Sequence, residues 1–361
     1  MRVGVNGRTF SVEQPRGSVQ SSVESVRALA HQPGVDVVVF GSRSVRDHFT
    51  DTPVITRGMY SDSQVYGLGW EQLILPRLVS ESDIDVLFCP NSDGPVRSLD
   101  VPVVVRLHDI FGFVGYGPRL YTLLQQFRVP RMLSAADRIV APSRHTRSTV
   151  TSRIDPDTPI DVVPNGLQEV FLDDHAGSAV SLPDEYLLYV GGTGKRKNTE
   201  VLVDSYIALR EEYDVPHELV LVGPQERFID GHVGDSAGSD REQIRSLGFL
   251  TARELKYVYT QASAFLFPSL EEGFGLPPLE AIACGTPVIA GNRPAMTEIL
   301  PEDTALADPT DPDEFASRTA ALLEAGDPGP TNEEIDHARS FTWDRAVDEI
   351  STTLRRAIDQ Y

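Results

Sequence analysis

Two glutamates, Glu272 and Glu280, stand eight positions apart around a glycine-containing loop, E-E-G-F-G-L-P-P-L-E. The apolar run Phe265–Phe267 precedes the loop, and the paired prolines after it suit the first turn of a helix. The predicted order is strand, loop and helix, and Gly273 and Gly275 let a ligand approach the main chain. The helix start favours a phosphate, and both carboxylates can accept hydrogen bonds from hydroxyls. The alternative is a capped strand-to-helix connection that binds nothing.

A basic loop is the second candidate site. The segment G-G-T-G-K-R-K-N holds Lys195, Arg196 and Lys197, which include two of the three lysines in the chain. It follows the apolar run Tyr186–Val190, which places it at a predicted strand end. Cationic side chains there can stabilise a diphosphate as a leaving group. Because no G-K-[ST] closes the segment, a Walker A loop is disfavoured, and the alternative is a solvated turn.

The first half of the chain contributes polar residues at two strand ends. His108 and Asp109 follow the apolar run Val101–Leu107, and Ser143 follows Asp137–Ala141. A histidine at a strand end can bond a sugar hydroxyl or lie near a developing charge. The alternatives are a half-buried histidine without a ligand and a helix cap at Asp109.

Predicted strands and helices alternate along the whole chain, which is typical of parallel sheets covered by helices on both faces. We predict an α/β protein with two doubly wound, Rossmann-like domains that face each other across a cleft. The boundaries are an N-terminal acceptor-side domain at 1–170, a nucleotide-sugar-binding domain at 171–340, and a C-terminal helix at 341–361 that returns to the first domain. The polar segment Gln168–Pro183 is the predicted linker. In such domains ligands lie outside the carboxyl ends of the strands, so the polar loops are expected at one cleft.

The chain is strongly acidic, with 53 Asp and Glu against 32 Lys and Arg and a formal net charge of −21. This charge argues against nucleic-acid binding and against tight docking on anionic lipid. The bias, with arginine preferred over lysine, resembles proteins of a halophilic cytoplasm. No run of about 18 apolar residues and no signal peptide is apparent, so a cytoplasmic protein without a transmembrane segment is expected, which leaves room for peripheral membrane contact.

Salt is expected to stabilise the protein. Potassium chloride screens the repulsion among the excess carboxylates, so the melting temperature should rise as its concentration increases. Thermal unfolding followed by circular dichroism tests this, and a flat or falling melting temperature would contradict it.

Motifs along the whole chain resemble the GT-B fold glycosyltransferases of retaining family 4, the glycosyl transferases group 1. They are L-H-D at 107–109, A-P-S at 141–143, P-N-G at 164–166, the basic loop at 189–198 and E-G-F-G-L-P-P-L-E at 272–280. The last is the E-x7-E signature and is the most specific. The chain departs from the family in carrying the single Gly17 in its first loop and Gly192 where many relatives have arginine.

The resemblance implies a role for each matching residue. Glu280 would bind the ribose hydroxyls, and Glu272 the hydroxyls of the donor sugar. Arg196 and Lys197 would hold the diphosphate, and His108 would lie against the donor sugar near the reacting carbon. The remaining donor contacts would come from backbone and loop positions: Gly192, Phe249, Leu250, Gly273, Phe274, Gly275 and Leu276. Asn165 and Gly166 would lie at the hinge.

The implied activity is retaining, metal-independent transfer of a hexose, with mannose favoured, from a nucleotide-diphosphate sugar to a glycan or lipid-linked acceptor. The donor would be GDP-mannose or a UDP-hexose, and neither a metal site nor a cofactor is expected. Two alternatives stay open: an isomerase similar to nucleotide-sugar 2-epimerases, and a noncatalytic nucleotide-sugar binding protein.

Overall fold

The computed structural model describes residues 1–11, 17–57, 64–113, 115–116, 119–175, 177–223, 243–326 and 329–361. These residues form two compact units. Unit 1 contains Met1–Gly166 together with Thr342–Tyr361, and unit 2 contains Leu167–Phe341. From its glycine, aspartate and serine residues we also predict a loop at Gly231–Asp240, which lies outside the described residues.

Unit 1 is built on a parallel sheet with the strand order β3-β2-β1-β4-β5-β6-β7 in the described part of the chain. The strands are β1 (Arg2–Asn6), β2 (Asp36–Phe40), β3 (Val54–Ile55), β4 (Val86–Cys89), β5 (Val103–Arg106), β6 (Arg138–Ala141) and β7 (Ile160–Val162). The helices are α1 (Gly17–Ala30), α2 (Gln64–Leu73), α3 (Leu75–Ser80), α4 (Arg119–Ala135) and α5 (Arg144–Arg153). Short 3-10 turns cover Arg8–Ser11, Arg43–His48 and Phe111–Phe113.

Unit 2 repeats this design with the strand order β10-β9-β8-β11-β12-β13. Its strands are β8 (Tyr186–Val190), β9 (Glu218–Val222), β10 (Ile244–Gly248), β11 (Ala264–Phe267), β12 (Val288–Gly291) and β13 (Ala305–Ala307). Its helices are α6 (Glu169–Leu172), α7 (Thr199–Tyr213), α8 (Ala252–Gln261), α9 (Leu276–Ala283), α10 (Pro294–Ile299), α11 (Pro312–Glu324) and α12 (Asn332–Arg339), and a 3-10 turn covers Lys195–Lys197. The last helix, α13 (Trp343–Gln360), belongs to unit 1.

The apolar patterns explain why both sheets are covered on two faces. Strands such as β5 and β11 are buried along their whole length, as expected for parallel strands between helix layers. In unit 1, α1 and α13 share one core cluster, whereas α2, α3, α4 and α5 contribute to the cluster on the other face. The α/β class with two doubly wound sheets is therefore confirmed.

The C-terminal helix joins unit 1 because its apolar residues form one stripe. Trp343, Val347, Ile350 and Leu354 are buried at helical spacing and pack in the cluster that contains α1. Close to the point where the chain re-enters unit 1, a Cβ on Gly166 would lie 2.4 Å from the backbone nitrogen of Trp343. This close approach explains why a glycine stands at the end of P-N-G.

Two predictions about chain organisation need correction. The predicted linker Gln168–Pro183 is part of unit 2, where Phe171 on α6 is fully buried in the core. From the sequence we also predict a short helix just before Leu247, but the structure has β10 there, which pairs with β9 through Ile244, Arg245 and Ser246. None of the helices in the described ranges is both long and apolar enough to cross a bilayer.

Candidate functional site

The two loops of unit 2 that are predicted to bind the sugar donor, the basic loop after β8 and the glutamate loop after β11, lie side by side. β8 and β11 are neighbouring parallel strands, so the loops that follow them leave the sheet at the same edge. The backbone N–H of Leu270 donates to the carbonyl of Arg196 at 2.8 Å, and the hydroxyl of Ser269 donates to the same carbonyl at 3.2 Å. Asn198 joins the loops further because its side-chain amide donates to the carbonyl of Pro268 at 3.1 Å. The basic loop is thus held against the glutamate loop by bonds to main-chain carbonyls.

Glu272 is the centre of this arrangement. Its Oε1 lies 2.7 Å from the guanidinium of Arg196 and 2.7 Å from the ammonium of Lys197, and it accepts a hydrogen bond from Ser269 at 2.7 Å. The three charged side chains are largely shielded from solvent, with exposed side-chain fractions of 20% for Arg196, 15% for Lys197 and 11% for Glu272. The structure therefore brings together three of the predicted site residues.

The charges around Glu272 keep it ionised. Burial alone would raise its pKa, but the charges of Lys197 and Arg196 and the hydrogen bonds from Lys197 and Ser269 together hold the pKa below its ordinary value. Lys197 also lies 4.7 Å from the ring centroid of Phe267, and Arg196 donates to the carbonyl of Glu271 at 2.7 Å. The site thus holds two cations that are partly neutralised by one carboxylate.

The start of α9 is shaped by Gly275 and by two prolines. Gly275 has φ +110°, and a Cβ at this position would lie 2.2 Å from Cε of Met296, so both conformation and space require glycine. Pro277 and Pro278 occupy the first turn and lack backbone N–H groups, which removes two of the four donors that a helix start normally offers. The helix start therefore offers fewer backbone donors to a phosphate than its sequence position indicates.

Glu280 has a different environment from Glu272. It lies on α9 with 9% exposure, and its Oε2 accepts a hydrogen bond from the hydroxyl of Tyr259 at 3.0 Å. Burial raises its pKa to about 7, and the Tyr259 bond only partly offsets this effect. Two glutamates of one sequence motif therefore differ in charge near neutral pH, because one has cationic neighbours and the other does not.

The remaining predicted donor residues occupy several environments. Phe249 follows β10 at the same edge of the sheet and is 52% exposed, and Leu250 packs partly against the core. Phe274 is buried with its ring 5.7 Å from that of Phe341, which leaves only its backbone for a ligand. Gly192 accepts a hydrogen bond from the hydroxyl of Tyr189. Gly273 is buried in the loop and Leu276 is half-buried.

His108 lies in unit 1, just after β5, and is 8% exposed. Its Nε2 is 2.9 Å from the hydroxyl of Ser22 and 3.0 Å from the carbonyl of Pro90. Because the Pro90 carbonyl can only accept, Nε2 carries the proton of the neutral ring and Nδ1 presents a lone pair. Burial, followed by the charge of Arg106, lowers the pKa of His108 to about 3. The ring is therefore neutral at any working pH and suits a hydrogen-bond acceptor better than an acid.

Two other residues of the predicted cleft make helix or turn caps. The side chain of Ser143 accepts from the backbone N–H of Thr146 at the start of α5, and Asp109 accepts from the backbone N–H of Phe111 at 3.2 Å. Asn165 accepts a hydrogen bond from the buried guanidinium of Arg106. No three His, Cys, Asp or Glu side chains within the described ranges are placed as ligands of one metal ion.

Sequence reasoning missed several partners of the predicted residues. Ser269 and Tyr259 hold the two glutamates, and Ser22 and the backbone of Pro90 hold His108. Ser269 could have been noticed, since it stands between the apolar run Phe265–Phe267 and Glu272, three positions before that glutamate. Tyr259 and Ser22 lie on other elements, and only the fold brings them close.

A buried charge cluster in unit 1 was also missed. Glu71 on α2 has a fully buried side chain that lies 2.8 Å from Nε of Arg8 and 3.6 Å from Nη1 of Arg128, and it accepts a bond from Asn6 at 3.0 Å. Asp93 completes the cluster at 2.7 Å from Arg8 and 2.9 Å from Arg128. Burial and the nearby Asp93 raise the pKa of Glu71, against the effect of both arginines. The cluster joins the loop after β1 to α2 and α4.

Removing one cation of this cluster should destabilise unit 1. Arg8→Met leaves two buried carboxylates with one arginine, so the free energy of unfolding should fall by about 3 kcal/mol. Both tryptophans of the chain, Trp70 and Trp343, lie in unit 1, so tryptophan fluorescence during urea unfolding reports on this unit. The control is Arg57→Met, which breaks the exposed pair with Glu81 and should change little. Equal decreases in the free energy of unfolding in the two variants would contradict a stabilising role of the buried charge cluster.

Comparison with known proteins gives consistent results for both halves of the chain. The family model described as glycosyltransferase family 4 matches residues 15–169, and the model described as glycosyl transferases group 1 matches residues 184–325. A serotype-specific mannosyltransferase, WbdA, from Escherichia coli is 37% identical over 134 residues, which is 36% of this chain and 16% of that protein. The O-antigen chain mannosyltransferase B of Escherichia coli is 31% identical over 45% of this chain and 43% of its own length.

Another relative matches a longer stretch. The D-inositol 3-phosphate glycosyltransferase of Salinispora arenicola is 28% identical over 256 residues, which is 64% of this chain and 57% of that protein. The matches to these curated relatives thus span less than two thirds of each relative's length.

Solved structures share the complete fold at low sequence identity. Sucrose-phosphate synthase from Thermosynechococcus elongatus aligns over 100% of both chains with a TM-score of 0.76 and 17% identity. HepE of Anabaena in complex with UDP and glucose aligns over 99% of this chain and 100% of its own with a TM-score of 0.72 and 15% identity. With family models that together match most of the chain, and with this shared two-unit architecture, the protein belongs to the GT-B glycosyltransferases of family 4, the glycosyl transferases group 1.

Proposed function

We propose that the protein transfers a hexose, with mannose favoured, from a nucleotide-diphosphate sugar to a glycan or lipid-linked acceptor, with retention of configuration and in the cytoplasm. The observation that carries the proposal is the convergence of Arg196, Lys197 and Ser269 on Glu272. Two cations beside one ionised carboxylate suit a ligand that has a diphosphate next to sugar hydroxyls. Two of the relatives are mannosyltransferases, which favours GDP-mannose as the donor. Because HepE is seen in complex with UDP and glucose, a UDP-hexose is the alternative donor.

The chain's own residues divide the chemistry between charge and hydroxyl recognition. Arg196 and Lys197 bind the diphosphate and stabilise the charge that develops on it as the bond between the anomeric carbon and the phosphate oxygen breaks. Glu272 accepts hydrogen bonds from hydroxyls of the sugar, whose ring gains positive charge in the transition state. The acceptor hydroxyl forms the new bond to the anomeric carbon, and its proton passes to the departing phosphate oxygen. This step balances with a nucleoside diphosphate as the second product.

Glu280 is assigned to the ribose. Within the described residues the carboxylate accepts one hydrogen bond, from Tyr259, and an ionised carboxylate in this buried position gains from two ribose hydroxyl donors. The exposed ring of Phe249, at the same edge of the sheet, offers an apolar face beside the base. His108 is assigned a hydrogen bond to a donor-sugar hydroxyl through Nδ1, which follows from its neutral state.

The proposed role of Glu280 predicts pH-dependent donor binding. Ribose hydroxyls donate to the ionised form, so affinity should rise with pH and level off above about 7. One pH unit below that value, affinity should be lower by up to about tenfold. Calorimetry with an intact nucleotide sugar measures this cleanly, because its phosphates do not titrate in the range. In the absence of ligand, folding stability depends on pH in the opposite direction. Glu280 stabilises the folded state at pH values below its ordinary pKa, and this stabilisation is lost as the pH rises to about 7.

Two variants decide whether Glu280 causes this dependence. Glu280→Gln should bind the nucleotide sugar with nearly the same affinity at about pH 6 and about pH 8. His108→Gln should keep the wild-type dependence, because the pKa of His108 lies far below the range. A dependence that disappears in His108→Gln and survives in Glu280→Gln would reject the assignment.

The activity itself is tested with a panel of GDP-, UDP- and ADP-sugars. The protein is incubated with each donor at high salt, with and without EDTA, and free nucleotide is measured. Release that is strongest with GDP-mannose and unaffected by EDTA supports the proposal, and NMR of the product glycoside gives the anomeric configuration. Interconversion of the nucleotide sugar without an acceptor would indicate an isomerase, and tight donor binding without release would indicate a binding protein.

A further inference from the structure

Ser92 has a backbone conformation that is unusual for its residue type. It stands in the loop after β4 with φ +56°, in the left-handed region that glycine, asparagine and aspartate tolerate better than serine does. In the described part of unit 1 the other non-glycine residue with positive φ is Asp155, which is of a tolerant type. Strain of this kind persists where surrounding contacts impose it, and it is concentrated at functional sites. The contacts of Ser92 therefore indicate what its conformation serves.

Ser92 extends the pairing of β4 and β5 beyond the ends of the two strands. Its backbone N–H donates to the carbonyl of Arg106 at 2.9 Å, and its Oγ accepts from the backbone N–H of His108 at 3.0 Å. In a regular parallel ladder the second bond would be accepted by the backbone carbonyl of the residue at position 92. Here the hydroxyl takes the place of the carbonyl. Alanine or glycine at this position would leave the N–H of His108 without that acceptor.

The carbonyl of Ser92 bonds instead to the buried charge cluster. Nη2 of Arg128 donates to this carbonyl at 3.1 Å, and Nη1 of the same guanidinium donates to Asp93 at 2.9 Å. Asp93 also lies 2.7 Å from Arg8. One arginine thus clamps two consecutive residues of the loop. The cluster, which has no part in the proposed reaction, holds Ser92 in its strained conformation.

The same loop holds the ring of His108. The carbonyl of Pro90 accepts from Nε2 at 3.0 Å, so positions 90 and 92 bind the side chain and the main chain of one histidine. Two attachments to a clamped loop fix the backbone of His108 and the orientation of its ring together. This precision matters for a group that contacts the substrate, because a displacement of about 1 Å can lower an enzymatic rate about a hundredfold.

We propose that Ser92 is a positioning residue for the transfer reaction, and that its hydroxyl fixes His108 so that Nδ1 faces the donor sugar. Ser92 acts through His108 and makes no contact of its own with the donor. The proposal rests on the role of His108 in the proposed function. The alternative is a structural role, in which Ser92 stabilises unit 1 and affects turnover only through the amount of folded protein.

A double-mutant cycle tests whether Ser92 acts through His108. Ser92→Ala should lower kcat/KM for transfer about tenfold in the wild-type background. In a His108→Leu background, which has already lost the Nδ1 lone pair, Ser92→Ala should cause no further loss. Equal losses in the two backgrounds would overturn the proposal. Binding of GDP or UDP, measured by calorimetry, should stay at the wild-type affinity in Ser92→Ala, because the diphosphate is assigned to the basic loop of unit 2.

Glycine and alanine at position 92 separate the hydroxyl from the backbone strain. Both remove the hydroxyl, but glycine adopts positive φ without the penalty that alanine has, so Ser92→Gly should unfold at a higher urea concentration than Ser92→Ala. Turnover should be lowered in both variants. Wild-type turnover in Ser92→Gly would show that stability alone matters. The matched control is Ser351→Ala, which removes a buried serine hydroxyl from α13 and should leave turnover unchanged.

A measurement that needs no transfer separates this proposal from the proposed function. Nitrogen-15 NMR of the histidine rings should show the Nε2–H tautomer for His108, whose signals are assigned by their absence in His108→Leu. In Ser92→Ala these signals should shift or broaden, because the ring loses part of its support. Unchanged His108 signals in Ser92→Ala would overturn the proposal even where transfer is measured. Changed signals in a protein that transfers no sugar would reject the proposed function and support the link between Ser92 and His108.

Discussion

Glu272→Gln is expected to lower kcat/KM for transfer about a hundredfold and to leave binding of the nucleoside diphosphate at least as tight as in the wild type. A glutamine at this position is uncharged, so the donor-sugar hydroxyls lose an ionised acceptor, which is worth about 1.5 to 3 kcal/mol. Arg196 and Lys197 lose the carboxylate 2.7 Å away that neutralises them. Their charge is then fully available to a diphosphate, which is why binding and turnover should change in opposite directions.

Steady-state kinetics with the intact donor and calorimetry with GDP or UDP measure the two quantities separately. Ser269→Ala is the matched control for local packing, because it removes one hydrogen bond to Glu272 and keeps the charge. It should lower transfer by less than Glu272→Gln does. A Glu272→Gln enzyme that turns over at the wild-type rate, or that loses diphosphate binding and turnover together, would show that Glu272 does not recognise the sugar.

Arg196→Ala and Lys197→Ala are expected to lower kcat by two to three orders of magnitude, since donors aimed at developing charge in a shielded site are worth about that much. The diphosphate gains charge as the glycosidic bond breaks, so a cation beside it contributes more in the transition state than in the ground state. The loop should keep its shape in both variants. The bond from Leu270 reaches the backbone carbonyl of Arg196, and the amide of Asn198 still reaches Pro268.

Lys195→Ala is the internal control for this pair. Lys195 belongs to the same three-residue 3-10 turn but is exposed, and no ion pair joins it to Glu272 among the described contacts. It should keep close to wild-type turnover and show only a small change in KM from lost long-range attraction. If Lys195→Ala lowered kcat as much as Arg196→Ala does, turnover would depend on the total charge of the loop and not on the position of Arg196. Single-turnover rates make this comparison independent of product release.

Motif positions and strand ends were predictable because local chemistry determines them. Apolar runs such as the one in β11 are buried by the covering helices in almost any arrangement of a parallel sheet. The start of α9 followed from glycine and proline, whose backbone preferences do not depend on distant residues. The E-x7-E motif and the basic loop are likewise continuous in sequence, so they indicate the family without any knowledge of tertiary contacts.

Other elements were missed, either because their local signal was overlooked or because they depend on distant residues. The helix α12 was not predicted, although Thr331 and Glu334 form a reciprocal capping box at its start. The two-residue strand β3 exists only because β2 offers it an edge to pair with. The segment after Gly166 is polar enough to suggest a linker, but Leu167 and Phe171 are buried in the core of unit 2.

The sequence by itself determined which residue types are available for chemistry: two glutamates eight positions apart, a basic triplet, and a histidine after a buried strand. Only the tertiary structure decided the protonation state of each of these residues. Glu272 is ionised because β8 and β11 are neighbours, which brings Arg196 and Lys197 to its side. Burial raises the pKa of Glu280 to about 7, and the bond from Tyr259 only partly offsets this effect, whereas burial and the charge of Arg106 keep His108 neutral. The physical reason is that a pKa depends on burial and on the nearest charges, and these are properties of residues that are distant in the chain.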